Sequence, residues 1–164
     1  MNSIYLVRHA NSGWENAQVT DFERTLSAKG RKEAAEMALR LFEKGVRPDL
    51  IVSSPAGRAL ETAEIFAERF DYSPEYIMKK IEIYDGDVEM LAGIVRELPR
   101  ERQTVIVFGH NPTISHFASW LSGKLLGQMQ TCGIVRIDLG KVNWSTIKKD
   151  CGKAVWNGHP KNGQ

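Results

Sequence analysis

An arginine and a histidine, Arg8-His9, close the apolar run Ile4-Tyr5-Leu6-Val7, after which the chain turns polar through Ala10-Asn11-Ser12-Gly13. A side chain placed where a buried strand leaves its sheet is held by that strand. It still faces the crevice beyond the strand ends, where open α/β sheets bind ligands. Arginine grips phosphate oxygens with a planar fork of donors, and an unprotonated imidazole nitrogen attacks phosphorus. The pair therefore suits a phosphoryl group. Taken alone it carries little weight, since most Arg-His pairs lie on ordinary surface.

Two further segments repeat the placement. Ser53-Ser54-Pro55-Ala56-Gly57-Arg58 follows a second apolar run and puts Arg58 in the first turn of a helix. Free N–H groups and the helix dipole already favour an anion there, so a cation is unfavourable unless an anion visits. The competing reading of Arg58 is an exposed helix residue paired with Glu61 or Glu64. Gly109-His110-Asn111-Pro112 follows a third apolar run. His110 has its own competing reading as a satisfied core histidine. Two histidines and two arginines at three strand exits favour a shared site over three coincidences. His116 and His159 lack such a setting and read as a helix-face residue and a tail residue.

The elements that must position these residues follow from periodicity. Residues 3–8 form a strand without alternation, as expected where both faces are covered. A polar loop runs from Ala10 to Thr25, and Ser27 caps a helix over about residues 28–44 with the stripe Ala35, Ala38, Leu39 and Phe42. Gly45 stands where a left-handed C-terminal cap is needed. Residues 49–53 form a second strand. Ser54 and Pro55 serve as cap and first turn of a helix to about Phe70, with the stripe Ala59, Ala63, Phe66, Ala67 and Phe70. Residues 77–84 read as a third strand. Asp87 caps a helix with Leu91, Ile94, Val95 and Leu98 inward, stopped by Pro99. Residues 104–108 form a fourth strand, and Asn111-Pro112 opens a helix with Ile114, Phe117, Ala118 and Leu121 on one face. Residues 130–138 and 142–148 pair as a hairpin. The alternation implies an α/β three-layer sandwich, a mostly parallel mixed sheet with helices on both faces. Residues 1–156 make a single domain and 157–164 a polar tail.

Composition bounds the function. The 164 residues are 42% hydrophobic and 26% charged, as in a soluble globular domain, and the formal charge of +2 gives no electrostatic case for nucleic acid. No apolar run approaches membrane-spanning length, and Arg8 interrupts the early apolar stretch that a signal peptide would need. Cys132 and Cys151 have no metal-ligand spacing and point to a reduced, cytoplasmic protein, with a single disulfide left open. No Asp/Glu/His cluster has ligand spacing either, so neither a metal nor another cofactor is expected.

Arg8-His9-Ala10, Ser53-Ser54-Pro55 with Arg58, Glu61-Thr62-Ala63 and Gly109-His110-Asn111-Pro112 resemble, in order and spacing, the motifs of the histidine phosphatase (phosphoglycerate-mutase-like) superfamily. Within it, Asp21-x-x-Arg24-x-Leu26-Ser27-x-x-Gly30 is similar to the bacterial phosphohistidine phosphatase branch. The resemblance covers roughly the first 120 residues and implies a sheet with one strand antiparallel to the rest. It also implies a metal-independent hydrolase in which His9 is phosphorylated, Arg8 and Arg58 hold phosphoryl oxygens, and His110 donates to them. Arg24 either adds a substrate contact, with Asp21 orienting it, or forms only a loop ion pair with Asp21. Glu82 is the positional candidate for a proton donor, and an exposed strand residue is the alternative. The implied substrate is phosphohistidine in a protein. A small phosphorylated metabolite, and below it a non-catalytic phosphate-binding module, are the competing functions.

Overall fold

A computed structural model describes residues 1–13 and 18–160. Its order is β1 (Asn2–Arg8), α1 (Ala28–Glu43), β2 (Leu50–Ser53), α2 (Gly57–Arg69), β3 (Met78–Lys79), α3 (Glu82–Asp85), α4 (Val88–Arg96), β4 (Thr104–Gly109), α5 (Thr113–Ser122), β5 (Ile134–Gly140) and β6 (Lys153–Gly158). The strands form one sheet in the order β3-β2-β4-β1-β5-β6. The pairs β1/β4, β2/β4 and β2/β3 are parallel, whereas β5 is antiparallel to both β1 and β6. One strand therefore opposes the other five, as the family resemblance implies.

Two cores cover the sheet. Ile4 and Leu6 of β1 face Leu91, Val95, Ile114 and Phe117 from α4 and α5. The alternate residues Tyr5 and Val7 face Met37, Leu41, Phe66 and Ala67 from α1 and α2. This is the three-layer arrangement expected of strands that are apolar on both faces. Among the described residues no helix is long and apolar enough to cross a membrane. Cys132 and Cys151 are both unpaired thiols.

The expected caps hold at two helices. Ser27 accepts from the Gly30 N–H and Asp87 from the Met90 N–H, and Gly45 after α1 has φ +87°. Several elements differ from their sequence patterns. In α1 the buried face is Gly30, Glu33, Ala34, Met37, Ala38 and Leu41, one position off the expected stripe, and Leu39 is exposed. Alanines on adjacent positions leave the helical phase poorly marked, and Met37 with Leu41 decides it. Helix α2 begins at Gly57 after Ala56, so Ser54 and Pro55 precede it rather than start it.

Residues 77–84 are not one strand. The ladder ends after Lys79, with the Lys80 N–H donating to the Ser53 carbonyl, and the chain then coils into α3. Burying Ile83 against the bare Cα of Gly109 favours the coil over strand propensity. Residues 142–148 form a 3₁₀ turn at Trp144–Thr146, because Trp144 and Ile147 bury together three positions apart. The partner of β5 is β6 instead, which extends through Asn157 and Gly158, two residues assigned to the tail by composition. Residues 161–164 of that tail lie outside the described residues.

Phe66 ties α2 to β4 by an edge-on contact with Phe108, with ring centroids 5.0 Å apart, and it is fully buried. Phe66→Ala should cost about 3–5 kcal/mol through lost burial and the cavity left behind. Denaturant unfolding checks this. A loss under about 1 kcal/mol would mean that α2 is not anchored through this contact.

Candidate active site

Strand register brings the three exits together. Arg8 lies beside Gly109 across β1/β4, and Ser53 lies beside Phe108 across β2/β4. The ladder continues one step further: the His9 N–H donates to the Gly109 carbonyl and the Ser54 N–H to the Phe108 carbonyl. His9, His110 and Ser54 are thus neighbours on adjacent strands, and the two imidazole centroids are 5.2 Å apart. Gly109 leaves this approach open, because a Cβ would press on the Ile83 and Ile114 side chains and make them give by a few tenths of an ångström.

His9 has a defined tautomer. Its Nδ1 lies 2.8 Å from the Ala10 carbonyl oxygen, which can only accept, so Nδ1 carries the proton and Nε2 keeps its lone pair. Burial, with Arg58, Arg8 and Arg24 nearby, pushes the His9 pKa down to about 4 despite the opposing Ala10 bond. Burial likewise pushes His110 down to about 3, with His9 and Arg58 contributing. Both rings are neutral at pH 7.

His110 Nε2 lies 2.8 Å from Ser54 Oγ. That oxygen accepts the Ala56 N–H, and among the described residues Nε2 is the acceptor within reach of its own hydrogen, so the hydroxyl donates to Nε2. The His110 proton then sits on Nδ1, which is buried and has no partner within the protein. His110 is therefore not a satisfied core histidine. The Nε atoms of Arg8 and Arg58 are buried and unpartnered in the same way. Buried nitrogens without a protein partner call for an acceptor from outside the chain, a water or a ligand oxygen.

The arginines are held from behind. Arg8 Nη1 donates to the Met129 carbonyl at 2.9 Å, an acceptor shared with the Asn111 side chain. Arg58 is only 7% exposed. Its Nη1 donates to the Asp21 carbonyl at 2.8 Å and its Nη2 to Asp21 Oδ2 at 3.2 Å. Neither Glu61 nor Glu64 is its partner; Glu61 accepts from the Leu26 N–H and pairs with Arg31. Arg24 reaches Asp21 Oδ1 through Nε and Nη2, and Ser12 through Nη1. Arg24 thus joins the cluster through the same carboxylate as Arg58. The loop ion pair between Asp21 and Arg24 is present, and its carboxylate is also the link to Arg58.

Close approach of the loop depends on Gly57, whose N–H donates to the Phe22 carbonyl and whose Cα faces the carbonyls of Glu23 and Arg24. Any Cβ at this position would strike backbone. Thr62 ties the floor together, accepting from the Ala10 N–H and donating to the Arg58 carbonyl. From α3 it is Tyr84, not singled out by sequence, that meets His110, edge-on at 5.6 Å. Glu82 opens α3, half-buried. His116 is exposed on α5, as expected of a helix-face residue. Among the described residues no three His, Cys, Asp or Glu side chains gather as metal ligands.

Arg8 and Arg58, whose charges act on the His9 ring, and the His110 ring beside it each hold a buried nitrogen without a protein partner. A free imidazole nitrogen in that setting can take up a tetrahedral oxyanion and attack its centre. Comparison with known proteins agrees with this chemistry. The family model of the histidine phosphatase superfamily (branch 1) matches residues 4–103. An uncharacterized chloroplastic protein of Arabidopsis thaliana is 29% identical over 163 residues, covering 93% of this chain and 73% of that protein. Phosphoglycerate mutase 1 of Saccharomyces cerevisiae is 40% identical over 73 residues, covering 43% of this chain and 30% of the mutase. Among solved structures, the putative phosphohistidine phosphatase SixA from Agrobacterium tumefaciens superposes with a TM-score of 0.79 at 25% identity, covering 97% of this chain and 98% of that one. The protein histidine phosphatase SixA complexed with tungstate gives 0.84 at 23%, covering 98% of each chain. The chain belongs to the histidine phosphatase superfamily.

Proposed function

We propose that this protein is a metal-independent phosphohistidine phosphatase acting on phosphorylated proteins through a phosphoryl intermediate on His9. The observation that carries the proposal is the lone pair of His9 Nε2, fixed by the Ala10 carbonyl beside the unpartnered donors of Arg8, Arg58 and His110. In the first step Nε2 forms a bond to phosphorus as the bond from phosphorus to the substrate nitrogen breaks. Water then attacks the phosphorus on His9 and releases inorganic phosphate. Arg8 and Arg58 bind the equatorial oxygens, and His110 Nδ1–H donates to them. Arg24 supports the anion through its charge and its place beside Asp21.

The charge state of Asp21 suits an imidazole leaving group, which needs no acid from it. Asp21, the carboxylate bonded into the cluster, accepts from Tyr84 and is flanked by Arg58 and Arg24, which together hold its carboxyl below the usual range. It is ionised at neutral pH and has no proton to give. Protonated phosphoimidazole takes its proton before cleavage and leaves as neutral imidazole, so it needs no strong acid beside it. The SixA relatives point to the same substrate class. The similarity to a phosphoglycerate mutase supports a second reading, a small phosphorylated metabolite. Turnover of a phosphohistidine protein against a panel of glycerate and sugar phosphates separates the two. Higher kcat/KM on any member of the panel would replace the first reading by the second.

His9→Ala should lose activity by several orders of magnitude. Acid-labile radiolabel from substrate should be trapped on the wild type and absent from the variant. Residual hydrolysis within tenfold of wild type would exclude His9 as nucleophile.

The two depressed histidine pKa values also predict a pH dependence of stability. The unfolded histidines titrate near 6.5, the folded ones near 4 and 3, so the unfolded state binds more protons within that window. Stability is complete above about pH 6.5 and falls as pH drops, with a slope approaching about 1.4 kcal/mol per pH unit for each histidine. Unfolding measured from pH 4.5 to 7.5 should show this slope in wild type. It should be reduced in the doubly substituted His9→Gln, His110→Gln protein. Equal slopes in the two proteins would mean that these histidines are not held neutral.

A further inference from the structure

Arg58 has five donors, and the structure divides them between two edges. The outer edge, Nη1 and Nη2, is bound to the main-chain carbonyl and side chain of Asp21, while Nε is buried and unpartnered. A planar guanidinium gripped along one edge cannot rotate, so the Asp21 carboxylate aims the other edge. Asp21 itself sits on a loop and its side chain is 46% exposed, a poor anchor on its own. What fixes it is α3. The Tyr84 hydroxyl donates to Asp21 Oδ2 at 2.7 Å, shorter than either of that carboxylate's contacts with the two arginines. The Tyr84 ring is in turn held edge-on between His110 at 5.6 Å and Phe22 at 5.0 Å, with the Arg58 guanidinium 6.0 Å from its centroid.

We propose that Tyr84 is a positioning residue, whose hydroxyl locks the Asp21 carboxylate so that Arg58 presents its Nε edge to the phosphoryl group. This rests on the reading that a phosphoryl group seats between His9 and Arg58. The Tyr84 hydroxyl is bound to Asp21 Oδ2, so the role proposed for it acts through that carboxylate. The same carboxylate holds Arg24 through Oδ1, so one hydroxyl sets the geometry of two cations. Against three arginines, Arg8, Arg24 and Arg58, the single charge of Asp21 leaves a formal balance that matches a phosphoryl dianion. Pairing therefore orients the cations without cancelling the site's attraction for its ligand.

The test is anion affinity in Tyr84→Phe, Asp21→Asn and the double variant, measured with orthovanadate and with inorganic phosphate on the intact protein. Phenylalanine keeps the ring contacts and removes only the hydroxyl, so the melting temperature should stay within about 2–3 °C of wild type. Vanadate, which mimics the five-coordinate transition state, should bind roughly 3- to 10-fold more weakly to Tyr84→Phe, and phosphate should change less. The double variant should bind vanadate no more weakly than Asp21→Asn alone, because Tyr84 acts through that carboxylate. Unchanged vanadate affinity, equal losses for both anions, or additive losses in the double variant would each overturn the proposal. Anion binding is read without turnover. A wild type that binds vanadate but fails to hydrolyse phosphohistidine proteins would therefore overturn the functional reading and leave this one standing.

Discussion

One short hydrogen bond, from His9 Nδ1–H to the carbonyl of the next residue, decides what the rest of the site can be. Because a carbonyl cannot donate, the proton is confined to Nδ1 and the lone pair of Nε2 is left for chemistry. The bond costs the fold little, since it is local and the backbone geometry at the end of β1 supplies it. That geometry depends in turn on the chain just past the strand. The His9 N–H is bound to Gly109, the His9 carbonyl accepts from Cys132, and the Ala10 N–H is bound to Thr62. An imidazole whose backbone is held from three sides does not need to search for its orientation, and the phosphoryl transfer proposed for His9 would draw on that preorganisation.

Around that nitrogen the cations are arranged by a common device. Each arginine is bound on one side by an acceptor that leaves another donor inward: Arg8 by the Met129 carbonyl, Arg58 by Asp21. The remaining nitrogens, Arg8 Nε, Arg58 Nε and His110 Nδ1, are buried with no partner within the protein, which leaves them free to meet an oxyanion. Burial keeps both histidines neutral, the condition that an attacking imidazole requires, and the charges of Arg58 and Arg24, with Arg8 at His9, reinforce it. Fold and function thus meet in the parallel ladder β2-β4-β1, whose register sets His9 level with His110 and Ser54 one step back, level with Gly109.

Much of this was legible in the sequence because strand exits leave a local signal, an apolar run that ends in a charged or hydrogen-bonding residue. His9, Arg58 and His110 all carry it, and the inward faces of α2, α4 and α5 follow from plain helical spacing. What could not be read is whatever depends on contacts distant in the chain. Met129 acts through its carbonyl, which any residue possesses. Asp21 rather than Glu61 holds Arg58 because the loop passes over Gly57, a tertiary approach with no periodic trace. Tyr84 was concealed by the alternation Ile81-Glu82-Ile83, which reads as a strand, whereas Ile83 finds its burial against Gly109 by coiling instead. The apolar pattern of 142–148 misled for a similar reason, since Trp144 and Ile147 satisfy a core site three residues apart as readily as a sheet.

The central claim is that the Ala10 carbonyl fixes His9 as the Nδ1–H tautomer, and nitrogen-15 NMR of the imidazole rings at pH 7 tests it most directly. Long-range correlation spectra assign the protonation state of each ring nitrogen, with His9→Gln identifying the resonances that belong to His9. The account predicts a protonated Nδ1 and an unprotonated Nε2 at neutral pH. A His9 ring protonated on Nε2, or an imidazolium protonated on both nitrogens, would contradict it.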